Sequence, residues 1–247
     1  MDENLIKQKD NIWDFKSFPE LDYIEKDYFY KHKKIFEYVS KNIQSFDRDS
    51  KILDIGCSTG IGFGLPSIKE RKNIYGVDYI ESFINVFNAR GMNGSVSNIM
   101  KDPLPYENDS FDIVVCAGII EHTLDPKRLL EEAERVMKKN GLLIIVFPNA
   151  ISLRARIDFL RGRNNFRPLI DNILNLSYLK RCSIFYSIRE LKMVLENSFQ
   201  IKEIKFIQEK RDKTKLIYEC LLKTYTFLFP KMRDVVFAIV NKKQLDY

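Results

Sequence analysis

The chain has 247 residues, 45% hydrophobic and 30% charged, and carries a net charge of +6. That length supports one large α/β domain with a sizeable core, and the charge is lower than a phosphate-tracking nucleic-acid surface would usually give. The acidic start, the lack of an apolar run near membrane-spanning length, only two histidines and four scattered cysteines argue against a signal peptide, a spanning helix and structural zinc, and predict a cytoplasmic setting.

Residues 1–50 are rich in aromatics and lysine, with Trp13, Phe15, Phe18, Tyr23, Tyr28 and Tyr30 ahead of any core strand. From Tyr28 to Ile43 the positions Phe29, Ile35, Phe36, Val39 and Ile43 predict an amphipathic helix that covers one face of a sheet. Next comes Lys51-Ile-Leu-Asp-Ile-Gly-Cys-Ser-Thr-Gly-Ile-Gly62, an apolar strand running into three glycines. Such a corner brings backbone N–H groups close to a ligand. The spacing Gly56, Gly60, Gly62 is not the Gly-x-Gly-x-x-Gly of dinucleotide sites, and Asp54 inside the strand suits a ligand with an ammonium group better than a pyrophosphate. A helix is expected over Phe63–Glu70. Asn73–Asp78 reads as a second strand ending in an acid, about 20 residues after the glycines, where a carboxylate meets ribose hydroxyls. The competing role for Asp78 is to cap the helix Glu81–Ala89. Met92–Val96 is a weak strand.

Leu104-Pro-Tyr106, Ser110-Phe-Asp112, the apolar strand Ile113–Ala117, Glu121-His122 and Asp125-Pro126 then follow in order. The next helix carries Leu129, Leu130, Ala133, Val136 and Met137 at helical spacing, and is expected to end near Lys139 with Asn140-Gly141 as its stop. Leu142–Phe147 is apolar throughout, as in a central parallel strand. Five of the six net positive charges fall in residues 151–181, which contain seven basic and two acidic side chains. This stretch reads as an inserted helix to about Leu160 followed by a loop. Its arginines either face solvent or hold an anionic group. Ser187 and Glu190 form a capping box for a helix to Asn197. Phe199–Gln208 and Val235–Val240 read as strands. Between them Leu216–Phe229 is strongly apolar, either a core or dimer-packing helix or a surface that meets a membrane or a lipid-linked substrate.

From Ile52 to Asn149 these motifs resemble the class I, Rossmann-like S-adenosylmethionine (SAM) dependent methyltransferases. That resemblance implies a doubly wound, mostly parallel seven-stranded sheet with an antiparallel last strand and helices on both faces. It divides the chain into an N-terminal cap or lid (1–50), a SAM-binding core (51–149), a basic insertion over the substrate (150–186) and the rest of the core (187–247). It further implies SAM as cofactor, bound by Asp54, Gly56, Cys57, Ser58, Gly60, Gly62, Asp78, Tyr79, Asn98, Ile99, Gly118 and Glu121. Two positions depart from the family: Ser58 replaces a glycine of the turn, and Asn98 replaces the acid that meets the adenine amino group, with Asp102 close enough to compete.

Methyl transfer from a sulfonium is an in-line displacement with a neutral leaving group, so most of the catalysis is positioning. A base is needed only for a protonated nucleophile, and His122 is the candidate. Arg154, Arg161, Arg163 and Arg167 are the candidate acceptor contacts. The expected acceptor is a small molecule, sugar or lipid-linked saccharide, with no metal and no DNA. A catalytically silent binding domain and an RNA methyltransferase are the alternatives.

Overall fold

Burial on both faces of the middle strands sets the architecture. In a strand of residues 111–117, Val114 and Cys116 face one buried cluster while Ile113 and Val115 face another. Strands apolar on both faces need helices on both sides. The structure, a computed structural model, describes residues 32, 34–35, 37–39, 41–43, 46, 49–61, 71–123, 125–162, 187–196, 198–208 and 224–243. The seven strands are β1 (Ile52–Ile55), β2 (Ile74–Asp78), β3 (Asn93–Val96), β4 (Phe111–Ala117), β5 (Met137–Pro148), β6 (Phe199–Ile207) and β7 (Val235–Lys242). They lie in the order β3-β2-β1-β4-β5-β7-β6. β1 to β5 are parallel, and β7 runs antiparallel to both β5 and β6.

The helices with complete bounds among the described residues are α1 (Glu81–Ala89), α2 (Pro126–Val136), α3 (Leu153–Leu160) and α4 (Ile188–Leu195). Leu129, Leu130, Ala133 and Val136 of α2 pack on one face of the sheet with Leu191 and Leu195 of α4. On the other face lie Ile84 and Phe87 of α1, together with Ile35, Val39 and Ile43 from a helical stretch within 32–43. The expected sheet-covering helix is therefore present where it is described. The capping box is present too: Ser187 Oγ accepts from Glu190 N–H, and Glu190 Oε2 accepts from Ser187 N–H at 2.6 Å.

Two expectations are corrected. α2 ends at Val136, not near Lys139, and Met137 already pairs with Phe111 as the first residue of β5. Between the pairs Phe111–Met137 and Ile113–Leu142 the register shifts. Asn140-Gly141 therefore lies in an irregularity of the strand instead of stopping the helix. Gly141 suits that place because a Cβ there would meet Met137 Cγ at 2.5 Å. Second, Leu216–Phe229 is not a core helix where it is described. Of residues 224–229 only Thr226 is buried, and Phe227 is 77% exposed. Residues 216–223 lie outside the described residues, as do Phe63–Glu70, Cys182, Cys220 and the expected lid around Trp13–Tyr30.

The residues that carried the family resemblance between β3 and β4 prove to be braces. Arg135 on α2 donates to the carbonyls of Leu104 and Tyr106 at 3.0 and 2.8 Å, and pairs with Glu132 at 2.8 Å. Glu132 in turn accepts from Leu104 N–H at 2.7 Å. Asp112 accepts from the backbone N–H of Lys51 at 2.9 Å and pairs with Lys138 at 2.8 Å. These contacts fasten the amino ends of β1 and β4 and leave their carboxyl ends for function.

Candidate functional site

The strand order reverses between β1 and β4, and in an open α/β sheet a ligand crevice forms there, at the carboxyl ends of the strands. β1 ends in the glycine turn. Gly56 and Gly60 have φ of +78° and +83°. A Cβ on Gly56 would stand 2.9 Å from Ile119 Cδ1, and one on Gly60 would stand 2.6 Å from Met92 Cε. Both positions favour glycine by backbone angle, and a Cβ at either would displace the end of a neighbouring side chain. Gly62 lies outside the described residues. The Cys57 side chain is buried in the core, with its thiol pushed up by burial, so only its backbone can face the crevice.

Ser58, where the family has glycine, adopts φ +48°. A side chain in this left-handed region costs about 1–2 kcal/mol, partly offset by the greater freedom glycine has when unfolded. Ser58→Gly is therefore expected to raise the unfolding free energy by roughly 0.5–1 kcal/mol in denaturant titrations. A loss of stability would mean the serine hydroxyl compensates for the strain.

Asp78 closes β2 and ties the turn together. Its Oδ2 accepts from Ser58 N–H and its Oδ1 from Ile80 N–H, each at 3.0 Å. It is not the helix cap, because Ile80 holds that position without a side-chain bond. A carboxylate has about four lone-pair sites, so Asp78 keeps acceptor capacity for ribose hydroxyls. Its neighbour Tyr79 is exposed. From below, the buried Arg90 donates to the Thr59 carbonyl and so supports the turn. Sequence reasoning missed Arg90, which sits just past α1, 31 residues from its partner.

After β3, Asn98 Oδ1 accepts from Met100 N–H at 3.1 Å, while Asp102 is exposed. Ile99 is buried in the core beside this turn. Arg128 of α2 holds the loop by donating to the Ile99 and Lys101 carbonyls at 3.1 and 3.0 Å. Arg128 was also missed, since an arginine on a helix gives no sign of which carbonyls it will reach.

β4 runs into Gly118 at φ +73° and then a short 3-10 turn, Ile120–His122. Glu121 is 5% exposed, and its Oε2 has no hydrogen-bond partner. Burial pushes its carboxyl up to about 7. Its Oε1 lies 3.8 Å from where a Gly118 Cβ would stand, and Ile119 beside it packs on Gly56. Asp54 is buried as well, and burial followed by the Asp78 charge raises its carboxyl well above the usual range. His122 is exposed. One edge of the sheet therefore gathers three carboxyl groups round a glycine turn, and a cationic ligand fits that environment. SAM, which carries a sulfonium and an ammonium group, matches the donor set, the tight glycine cradle and the unpartnered oxygen of Glu121.

The basic insertion is only partly described. Arg154 lies 3.6 Å from Asp158 on α3, and Arg161 is exposed about two turns further on. Arg163 and Arg167 lie outside the described residues. Arg154 and Arg161 are thus about 10 Å apart along the helix and form no compact cluster by themselves.

A doubly wound sheet with a glycine turn and ribose-type acid at its switch point defines a Rossmann-like nucleotide-binding domain. Residues 53–145 match the methyltransferase domain family. Over those residues the chain is similar to the class I SAM-dependent methyltransferases. It is 30% identical over 149 residues to a probable SAM-dependent methyltransferase of Mycobacterium tuberculosis, covering 60% of this chain and 50% of that protein. A ubiquinone biosynthesis O-methyltransferase of Rickettsia canadensis is 25% identical over 175 residues, 68% of this chain and 72% of that one. Among solved structures, a SAM-dependent methyltransferase of Thermotoga maritima, described as a possible histamine N-methyltransferase, has the same fold. Its TM-score is 0.58 at 20% identity, covering 93% of this chain and 98% of that one. The chain spans about half the length of the mycobacterial relatives it matches.

Proposed function

We propose that this protein transfers a methyl group from SAM to an anionic small molecule, sugar or lipid-linked saccharide. The observation that carries the reading is the gathering of Asp54, Asp78 and Glu121 at the glycine turn, with both Asp54 and Glu121 buried. In this reading Asp78 accepts from the ribose hydroxyls and Asn98 from the adenine amino group, with Ile99 and Tyr79 alongside. Gly56, Cys57, Ser58, Gly60 and Gly118 supply close-approaching backbone. Asp54 and Glu121 hold the cationic end. When bound, SAM supplies an electrophilic methyl group whose transfer leaves a neutral thioether.

The protein's remaining work is to orient the acceptor and, for a protonated nucleophile, to take its proton. In this reading His122 takes that proton; its exposure beside the buried Glu121 at the carboxyl end of β4 supports the assignment. Arg154 and Arg161 follow the carboxyl end of β5 on α3, and in this reading they offer the acceptor's anionic group a contact, joined by Arg163 and Arg167. The test is transfer of a labelled methyl group from SAM to a panel of carboxylated and phosphorylated small molecules, sugars and lipid-linked saccharides, with RNA as comparator. The expected result is incorporation into an anionic non-nucleic-acid acceptor. Incorporation into RNA alone would refute the assigned acceptor class.

A further inference from the structure

We infer that the ligand edge of this protein is a docking surface for an anionic lipid membrane. Two segments leave the sheet at that edge, one after β5 and one before β7. They are held together because Pro148 pairs with Val235, and buried Asn149 donates through Nδ2 to the Lys231 and Arg233 carbonyls at 2.9 and 2.8 Å. Both segments present large apolar side chains to solvent. Phe159 and Leu160 of α3 are 67% and 84% exposed, and Phe227, Leu228 and Phe229 are 77%, 63% and 48% exposed. Scattered exposed apolar residues need no explanation, but aromatic and leucine side chains concentrated on adjoining segments do.

The charge around them decides what would cover them. Arg156, Arg161 and Lys231 are exposed, and residues 224–234 contain Lys231 and Arg233 against Asp234, which accepts from Gln208. On α3 the one acid, Asp158, pairs with Arg154. Aromatics and leucine flanked by an excess of lysine and arginine match the interface of an anionic bilayer, where rings enter the headgroup level and cations meet phosphate. No helix among the described residues is long and apolar enough to cross a membrane, so the contact is peripheral. If the methyl-transfer reading holds, an acceptor with a lipid tail enters the crevice from the face that meets the bilayer; vesicle binding itself does not depend on that reading.

The test is co-sedimentation of the full chain with phosphatidylcholine vesicles, with and without about one third phosphatidylglycerol. Expected is binding to the anionic vesicles at least about tenfold tighter than to the neutral ones, weakened by salt. Phe227→Ser with Leu228→Ser, and separately Arg156→Glu with Lys231→Glu, should each weaken it by at least about tenfold. All four side chains are exposed, and chemical unfolding of each variant reports that the fold is kept. Equal binding of wild type and both variants would overturn the inference. So would absence of vesicle binding, or a dimer in light scattering that the apolar variant converts to monomer.

Discussion

Asp78→Ala is expected to lower the affinity for SAM by at least about 100-fold. Two charge-assisted hydrogen bonds to a ribose diol are worth about 3 kcal/mol together, and about 1.4 kcal/mol is a factor of ten. The same carboxylate also accepts from Ser58 and Ile80 N–H, so the variant loosens the turn as well as removing a ligand contact. Asp78→Asn separates the two effects. An amide keeps one acceptor oxygen and its shape, so it should retain much of the turn while losing about tenfold in affinity. Calorimetric titration measures both variants, and chemical unfolding shows whether each is folded. If alanine binds SAM as the wild type does, Asp78 serves the turn alone.

The second large effect concerns Glu121 and pH. Its carboxyl is raised from 4.5 to about 7 by burial. Between those values the native state holds more protons than the unfolded chain, so this group's contribution is intact below about pH 4.5 and is lost as pH rises through about 7. Glu121→Gln removes that slope. The variant should be about as stable as wild type near pH 4.5, and more stable by up to about 3 kcal/mol at about pH 8. Binding should move the opposite way. A cationic ligand favours the ionised carboxylate, so wild-type affinity for SAM should rise with pH through about 7, while the glutamine variant should bind more weakly and without that rise. Asp54 is raised in the same sense and is present in both proteins, so their difference isolates Glu121. Denaturant titrations at about pH 5 and about pH 8 check the first half, and calorimetry at the same values checks the second. A variant less stable than wild type at the higher pH would show that Glu121 has a favourable partner in the folded chain.

Most of the sheet was legible because its signals are local. Ile52–Ile55, Ile74–Asp78 and Val235–Lys242 are short apolar runs, and Glu81–Ala89 and Ile188–Leu195 have helical spacing. The end of α2 was misread because Met137 continues the apolar spacing of Leu129, Leu130, Ala133 and Val136. Only the pairing of Met137 with Phe111 turns that residue into a strand, and pairing is a long-range fact. The apolar stretch before β7 was left open between core, dimer-packing and surface readings for the opposite reason, and its exposure removes only the core one where it is described. Composition marks Phe227, Leu228 and Phe229 as hydrophobic but does not say whether anything covers them.

The site divides in the same way. Gly56 and Gly60 could be placed because the turn is built from neighbouring residues, and Asp78 because it ends the next apolar strand. Arg90, Arg128 and Arg135 could not, since each acts on a backbone carbonyl roughly 30 residues away, and arginine in a helix otherwise reads as a solvated face. Glu121-His122 was visible as a pair, but which member is buried depends on how the turn after β4 packs on Gly56. The acceptor side was least legible, because no short spacing rule governs where Arg154 and Arg161 point.

The central claim is that the crevice between β1 and β4 binds SAM. Titration calorimetry of the wild-type chain with SAM and with S-adenosylhomocysteine, its demethylated product, tests it most directly. The account predicts saturable binding of one molecule of either ligand per chain, competing for a single site. Absence of heat and of competition for both ligands, in a protein shown to be folded, would contradict it.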